Sequence, residues 1–219
     1  MSSLKIQSLL GQSPISENIS GYVNRLAETT SRADPSTPAV KAYPDAVYFN
    51  FYKLGLSLQF APKGGYRPTA ELKQSELKNE QMALDSIYLY NIPSKITTDS
   101  TSKGTSSRSA ELAFSTFPIS PLVLVLNPNA KDKDGNTLSR PSNIEITPET
   151  SGKDFVSILG EPDRKGGGAG PSAGSIGIWC EWTKDGIMVE FGGDEAKGPQ
   201  AWERGKDAVW KILTIFAPA

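Results

Sequence analysis

The stretch Ile178–Phe191, IWCEWTKDGIMVEF, has the sequence of a β-hairpin: an aromatic strand, a turn that ends at Gly186, and an alternating strand. The stretch Val47–Phe60, VYFNFYKLGLSLQF, aligns with it without a gap, and Gly55 then matches Gly186. A repeat of this kind predicts two copies of one structural unit in the chain.

The elements on either side of the hairpins follow from apolar spacing and from helix-end signals. One helix is predicted to run through Glu28 and a second to end at Gly160, just before Pro162. The candidate N-caps are Ser16 or Asn18 for the first helix and Thr147 or Ser151 for the second. Further strands are predicted at Leu84–Tyr90, Pro121–Leu126 (a buried strand), Ile144–Ile146 and Val209–Phe216, with a short helix around residues 71–81.

Each unit therefore has the order helix, hairpin, polar segment, strand. This order predicts an α+β fold of two pseudo-repeated units, with antiparallel sheet and helices packed on one face. We expect residues 1–93 to form the first unit, residues 94–109 a mobile Ser/Thr-rich loop, and residues 110–219 the second unit, all within one compact domain. Pairing of Leu84–Tyr90 with Val209–Phe216 would join the units in one sheet, and the sequence leaves that pairing open.

Composition restricts the classes of partner. The 219-residue chain has a formal net charge of −1 with acids and bases intermixed, so neither a nucleic-acid footprint nor a membrane-surface patch is indicated. No apolar run is long enough to span a bilayer, and Met1–Ser16 lacks the apolar core of a secretory signal. Cys180, the one cysteine, is expected to be a small buried apolar residue. We therefore expect an intracellular, cytoplasmic protein.

Two family resemblances rest on the hairpins and their neighbours. A helix that ends in LGEP, a Gly-rich gap, an aromatic strand, a glycine turn and a strand that ends in Phe resemble the repeat unit of the β-lactamase-inhibitor-protein and BamE-like folds. YFNFYKLGLSLQF, followed by LDSIYLYN, resembles the hairpin and next strand of the phagosome assembly factor family. The first resemblance implies a small non-catalytic scaffold that binds other proteins. The chain is shorter than that second family and has a Ser/Thr-rich middle, so no partner is carried over.

The absence of histidine is the main chemical constraint. It removes Ser-His-Asp and Cys-His nucleophile systems and histidine-containing metal sites, and a single cysteine removes thiolate zinc sites. We predict no cofactor and no metal, and an enzyme would need carboxylates or a Ser-Lys pair. Carboxylates do gather near the second hairpin, at Glu161, Asp163, Glu181, Asp185, Glu190, Asp194 and Glu195. A solvated sheet face is the favoured interpretation, with a hydrolytic pair or a hard-cation site at Asp194 and Glu195 as alternatives.

A Gly-rich segment precedes the second hairpin. RKGGGAGPSAGS begins at Arg164 and Lys165, and backbone amides in such segments can bind anions. The segment does not match a P-loop, because its lysine precedes the glycines and a strand follows. We interpret it as a flexible connection, with Arg164, Lys165, Gly166, Gly167 and Gly168 as a weak candidate for contact with an anionic partner.

Aromatic side chains are the remaining candidates for a binding site. Strand alternation places Tyr48 with Asn50, and Trp179 with Glu181, on the faces of their strands opposite the core. We predict these four residues as the binding patch of a non-catalytic recognition protein that binds a protein partner through its sheet face or loops. A carbohydrate-binding protein is the alternative, and a carboxylate-dependent hydrolase is the third possibility. The sequence does not identify the partner.

Overall fold

The computed structural model describes residues 5–30, 37–70, 72–92, 110–131, 134–168 and 177–219. The strands found there are β1 Ala39–Ala42, β2 Val47–Phe51, β3 Leu56–Pro62, β4 Met82–Tyr90, β5 Leu122–Val125, β6 Asn143–Ile146, β7 Arg164–Gly166, β8 Trp179–Trp182, β9 Ile187–Phe191 and β10 Trp210–Phe216. The helices are α1 Glu17–Glu28, α2 Gly152–Leu159 and α3 Ala201–Arg204. The fold is mixed α+β and dominated by antiparallel sheet, as the sequence predicts.

Both predicted hairpins form. β2 pairs with β3 and β8 with β9, each in antiparallel register. Gly55 and Gly186 both have left-handed backbone conformations, with φ of 60° and 65°. A Cβ added at Gly55 would overlap the carbonyl oxygen of Ser115, and one at Gly186 would overlap that of Phe216. Both turns thus need glycine for conformation and for space. That the two units are copies of one another stays a prediction.

One continuous sheet contains both hairpins. Its strand order is β1-β2-β3-β4-β10-β9-β8-β7, so the two long inner strands meet at the centre. β4 and β10 are antiparallel, with Ile87 opposite Ile215 and Leu89 opposite Leu213. The pairing that the sequence left open is therefore present, and it joins the two halves of the sheet.

The helices cover one face of this sheet. In α2, the ring of Phe155 lies 6.2 Å from that of Trp182 and 6.1 Å from that of Phe191, centroid to centroid. The buried residues of α1 belong to the same core cluster as the apolar residues of the sheet. Ser16 caps α1 by accepting a hydrogen bond from the backbone N–H of Asn18. Ser151 caps α2, which ends at Gly160 as predicted.

Three expectations about the connecting regions have different outcomes. Among the described residues β5 pairs only with β6, in a separate two-stranded sheet. The prediction of a buried strand holds for one side of β5, where Leu122 and Leu124 are buried, but Val123 and Val125 on the other side are exposed. A short helix is predicted around residues 71–81, and the described residues 72–81 contain two 3-10 turns, Gln74–Glu76 and Asn79–Gln81, instead of an α-helix. The Ser/Thr-rich segment 94–109 lies outside the described residues. No helix in the described ranges has the length and apolar character to cross a bilayer.

The hairpin glycines can be tested against a glycine of the same backbone conformation. Gly64 also has φ of 60°, but no atom of the described residues lies within 4 Å of a Cβ built there. We expect Gly64→Ala to lower the free energy of unfolding by about 1 kcal/mol, the cost of the left-handed conformation. In Gly55→Ala the added Cβ also collides with the backbone, so we expect the free energy of unfolding to fall by roughly 2 kcal/mol more than in Gly64→Ala.

Urea unfolding followed by circular dichroism measures both variants. Equal losses at the two positions would contradict the close approach of the 115–117 segment to the first hairpin.

Candidate functional site

The face of the large sheet opposite the helices carries most of its partly exposed side chains, and we call it the outer face. Residues paired directly across adjacent strands point to the same face. One such row crosses all eight strands: Ala39, Asn50, Ser57, Tyr88, Thr214, Met188, Glu181 and Arg164. The outer face is therefore a continuous surface, and its polar and aromatic residues can be placed on it strand by strand.

A groove lies over the first half of the outer face, and we call it the tyrosine groove. It has a volume of about 520 Å³. Its lining residues are Lys41, Tyr43, Asp45, Ala46, Tyr48, Asn50, Tyr52, Gln59, Tyr90, Glu111 and Phe114. Four tyrosines and a phenylalanine therefore share one recess with five charged or amide neighbours on its floor and rim.

The rings of the tyrosine groove contact one another in two groups. Tyr43 and Tyr48 meet edge to face with centroids 6.0 Å apart. Tyr90 stacks on Phe114 at 3.7 Å, and Tyr52 lies 4.6 Å from the same ring. Aromatic pairs at these separations stabilise one another, so the walls of the groove are held in place before any ligand binds.

Amide groups of the groove are used within the protein. The side chain of Asn50 donates to the carbonyl oxygen of Ala39 at 3.2 Å and accepts from the hydroxyl of Ser57 at 2.8 Å. Gln59 accepts a 2.6 Å hydrogen bond from the hydroxyl of Tyr88. Asn50 is buried, with 7% of its surface exposed. Its predicted position on the face is correct, but its predicted exposure is wrong, because the neighbouring strands supply both of its partners.

The hydroxyls of Tyr48, Tyr88 and Tyr90 have a raised pKa and stay protonated at neutral pH. Burial raises the pKa of Tyr48, and with the neighbouring Tyr48 and carboxylates it raises the pKa of Tyr88 to about 12. Burial also raises the pKa of Tyr90. The groove therefore presents neutral phenol groups, which can donate and accept hydrogen bonds, together with ring surface.

The other two predicted residues lie far from this groove. Trp179 and Glu181 are on β8, five strands away from β2, which corresponds to roughly 24 Å. Both are half-buried on the outer face. The indole ring of Trp179 covers Gly166, where an added Cβ would lie 2.7 Å from a ring carbon. Glu181 pairs with the exposed Arg164 at 3.4 Å. The structure thus separates the four predicted residues into two pairs.

The Gly-rich segment differs from its predicted form. Arg164–Gly166 is the edge strand β7, paired with β8, where the sequence predicts a flexible connection. Alternation sends Arg164 to the outer face and Lys165 to the opposite side, so the two cations cannot hold one anion together. Gly167 and Gly168 follow the strand, and the remainder of the segment lies outside the described residues.

The side chains at the centre of the outer face are less exposed to water than those at its ends. Thr214 is buried, and within the described part of the chain its hydroxyl oxygen has no hydrogen-bond partner. Burial raises the pKa of Glu190, although the ammonium of Lys211 opposes this shift. Lys211 in turn pairs with Glu111 at 3.1 Å. This central region separates the tyrosine groove from the Trp179 end of the face.

Three of the predicted carboxylates, Glu161, Asp163 and Asp185, line a cavity of about 400 Å³ on the other side of the second hairpin. The carboxylate of Asp163 accepts two 2.8 Å hydrogen bonds from Thr183. Burial acts to raise the pKa of Asp163, but the hydrogen bonds outweigh it, and the pKa is lowered. A general acid needs a raised pKa, so this cavity gives no support to a hydrolytic pair.

Asp185 belongs to an ion pair that the sequence analysis missed. The two terminal guanidinium nitrogens of Arg140, Nη1 and Nη2, each donate to a carboxylate oxygen of Asp185 at 2.7 Å, and both side chains are almost fully buried. Arg140 also donates to the carbonyl oxygens of Leu159 and Asn127. The pair therefore ties the second hairpin turn to the end of α2. No sequence signal links two residues that lie 45 positions apart.

Metal binding receives no support from the described residues. They contain no group of three or more Cys, Asp or Glu side chains that could hold an ion, and this includes the hard-cation alternative at Asp194 and Glu195. Comparisons with models of protein families, with curated proteins and with solved structures find no match to this chain. The family resemblances of the hairpins therefore stay predictions.

The buried ion pair can be tested by removing one partner. We expect Arg140→Ala to lower the free energy of unfolding by roughly 3–5 kcal/mol, because it leaves the buried Asp185 carboxylate without its counter-ion. Asp207→Ala is the control, since its pair with Lys153 is exposed at both ends and should be worth less than about 1 kcal/mol. Chemical denaturation measures both variants, and a loss at Arg140 as small as the control's would show that the pair is dispensable.

Glu190 gives a prediction that depends on pH. Its folded-state pKa is raised, so the folded protein holds a proton over a range in which the unfolded chain has lost it. The carboxyl therefore destabilises the fold at neutral pH, and this cost shrinks as the pH falls through the raised folded-state pKa and is gone below about 4.3, the usual glutamate pKa. We expect Glu190→Gln to be more stable than the natural protein at neutral pH, with the gain shrinking on acidification. Urea unfolding at several pH values measures this, and a pH-independent difference would contradict it.

Proposed function

We propose that this protein is a non-catalytic recognition protein that binds an extended segment of a protein partner in the tyrosine groove. The observation that carries the proposal is the set of four tyrosines around one recess of about 520 Å³ on the outer face of the sheet. Tyrosine provides large contact area with few rotatable bonds and a hydroxyl at its tip, and it is enriched in protein interfaces for this reason.

The shape and charge of the groove support a peptide as its occupant. The wall formed by Tyr43 and Tyr48 is open to solvent, with Tyr43 48% exposed. Lys41 and Asp45 on one side and Glu111 on the other place both signs of charge at its rim. A peptide backbone can accept from and donate to the neutral phenol groups, while its side chains cover the rings.

The carbohydrate alternative receives less support from the same groove. Sugar sites use amide and carboxylate side chains to bind hydroxyl groups beside an aromatic ring. Here both polar atoms of the Asn50 amide are already bonded to Ala39 and Ser57, and the Gln59 oxygen is bonded to Tyr88. A partner that relies mainly on ring contact and phenol hydroxyls fits the groove better than one that needs free amides.

Localisation in the cytoplasm is part of this proposal. Cys180 is buried, and burial raises the pKa of its thiol to about 11. A thiol in this state is inert, so the fold makes no use of an oxidising compartment.

A selection from a library of random peptides, with the full chain immobilised, tests the proposal. The fluorescence polarisation of an enriched, labelled peptide then gives its Kd for the natural protein and for variants. We expect Tyr48→Ala to weaken binding at least about ten-fold, since a central aromatic anchor is typically worth more than 1 kcal/mol. Trp179→Ala, at the far end of the outer face, is the matched control and should change the Kd by less than about two-fold.

Thermal unfolding shows whether each variant is folded. Enrichment of no peptide, or equal losses in both variants, would overturn the tyrosine groove as the binding site. A glycan array is run in parallel. Glycan binding that Trp179→Ala abolishes without loss of fold would favour the carbohydrate alternative and place its site at the other end of the face.

A further inference from the structure

A second groove lies between α2 and α3, over the ends of β8 and β9 and on the side of the sheet away from the tyrosine groove. We call it the lysine-rimmed groove. Its volume is about 430 Å³, within the range of about 300–1,000 Å³ typical of small-molecule sites.

The floor and walls of the lysine-rimmed groove are apolar. Ile178, Cys180 and Phe191 form a buried floor, and each is less than 10% exposed. Val156 on α2 and Trp202 on α3 stand on either side of it, 41% and 42% exposed. Exposed apolar side chains of this size next to a concave apolar floor mark a surface that gains free energy when it is covered.

Three lysines, Lys153, Lys165 and Lys206, stand at the rim, against one carboxylate, Glu161. The ammonium of Lys165 lies 5.7 Å from the centre of the Trp202 ring, over the apolar wall itself. Lys153 forms an exposed pair with Asp207 at 3.5 Å. The rim is thus positively charged while the chain as a whole carries −1. Charge complementarity therefore favours an anionic ligand, and the apolar floor favours a ligand whose remaining part is apolar.

We propose that the lysine-rimmed groove binds a small amphipathic carboxylate, with its acyl or aryl part on the floor and its carboxylate against Lys165 at the rim. Most of the affinity comes from the apolar contact, because ion pairs at exposed lysines are weak. The lysines instead give selectivity for the acid over neutral molecules of the same shape.

Binding at this site is reversible and non-covalent. The Cys180 thiol lies on the floor, but burial raises its pKa to about 11, so it is protonated at neutral pH. A protonated thiol acts as a small apolar contact and not as a nucleophile.

Isothermal titration calorimetry with decanoate, below its micellar concentration, tests the proposal, and decanol is the neutral comparison. We expect one saturable decanoate site per chain and binding of decanol about three- to five-fold weaker, the difference that a weak ion pair at the rim implies. Lys165→Glu should weaken decanoate binding about ten-fold, because reversing the charge at the rim replaces an attraction by a repulsion. Lys63→Glu, an exposed lysine outside both grooves, is the matched control and should leave the affinity within about two-fold.

Val156→Asp tests the apolar wall, because it places a like charge at an exposed helix position, and it should abolish decanoate binding. The Trp202→Phe variant provides a second readout, tryptophan fluorescence, which does not require the protein to fold with an aspartate at position 156. Decanoate should change the tryptophan emission of the natural protein but not that of Trp202→Phe. Absence of saturable binding, equal affinity for acid and alcohol, or an unchanged affinity in both Lys165→Glu and Val156→Asp would each overturn the proposal.

Discussion

The pairing of β4 with β10 is the constraint on which both surfaces of the sheet depend. Ile87, Leu89, Leu213 and Ile215 meet across this seam, and all four are fully buried. Each such side chain contributes about 1.5–3 kcal/mol by leaving water. Because the seam joins two four-stranded halves, the helices cover one common apolar face, and the opposite face becomes a single surface eight strands wide. Without it, each half would expose a long inner edge.

The seam also explains why the outer face is not uniform. Its central strands have neighbours on both sides, so the side chains there are covered by those of adjacent strands. Thr214 and Ile212 are buried for this reason, and Glu190 is desolvated enough for its pKa to rise. Towards the edges this cover is lost, and rings such as Tyr43 reach solvent. The exposed aromatic and polar side chains therefore lie towards the ends of the face, and the centre separates them.

Much of the fold could be predicted because it depends on patterns among residues that are close together in the sequence. Alternation gives the hairpins, glycines mark their turns, and serines mark the helix starts. The features that were predicted wrongly or missed depend on contacts between residues that are distant in the sequence. β7 is too short to show a strand pattern, and β5 shows a buried-strand pattern although its outer side faces solvent. The Arg140–Asp185 pair joins segments that no periodicity connects. The burial of Asn50 could have been predicted from the hairpin register. That register places Asn50 opposite Ser57, whose hydroxyl can form a hydrogen bond with the Asn50 amide.

Three recesses of this molecule differ in what their polar groups contact. In the carboxylate-lined cavity, Asp163 and Asp185 are bound to Thr183 and Arg140, so their charges stabilise the fold instead of facing a substrate. In the tyrosine groove the Asn50 amide and the Gln59 oxygen are bonded within the protein, and the rings pack on one another while Tyr43 keeps 48% of its surface exposed. In the lysine-rimmed groove the ammonium groups stand at the solvent edge over an apolar floor. Both grooves combine aromatic or aliphatic surface with charged groups at the rim, and these are the contacts on which the two proposals rest.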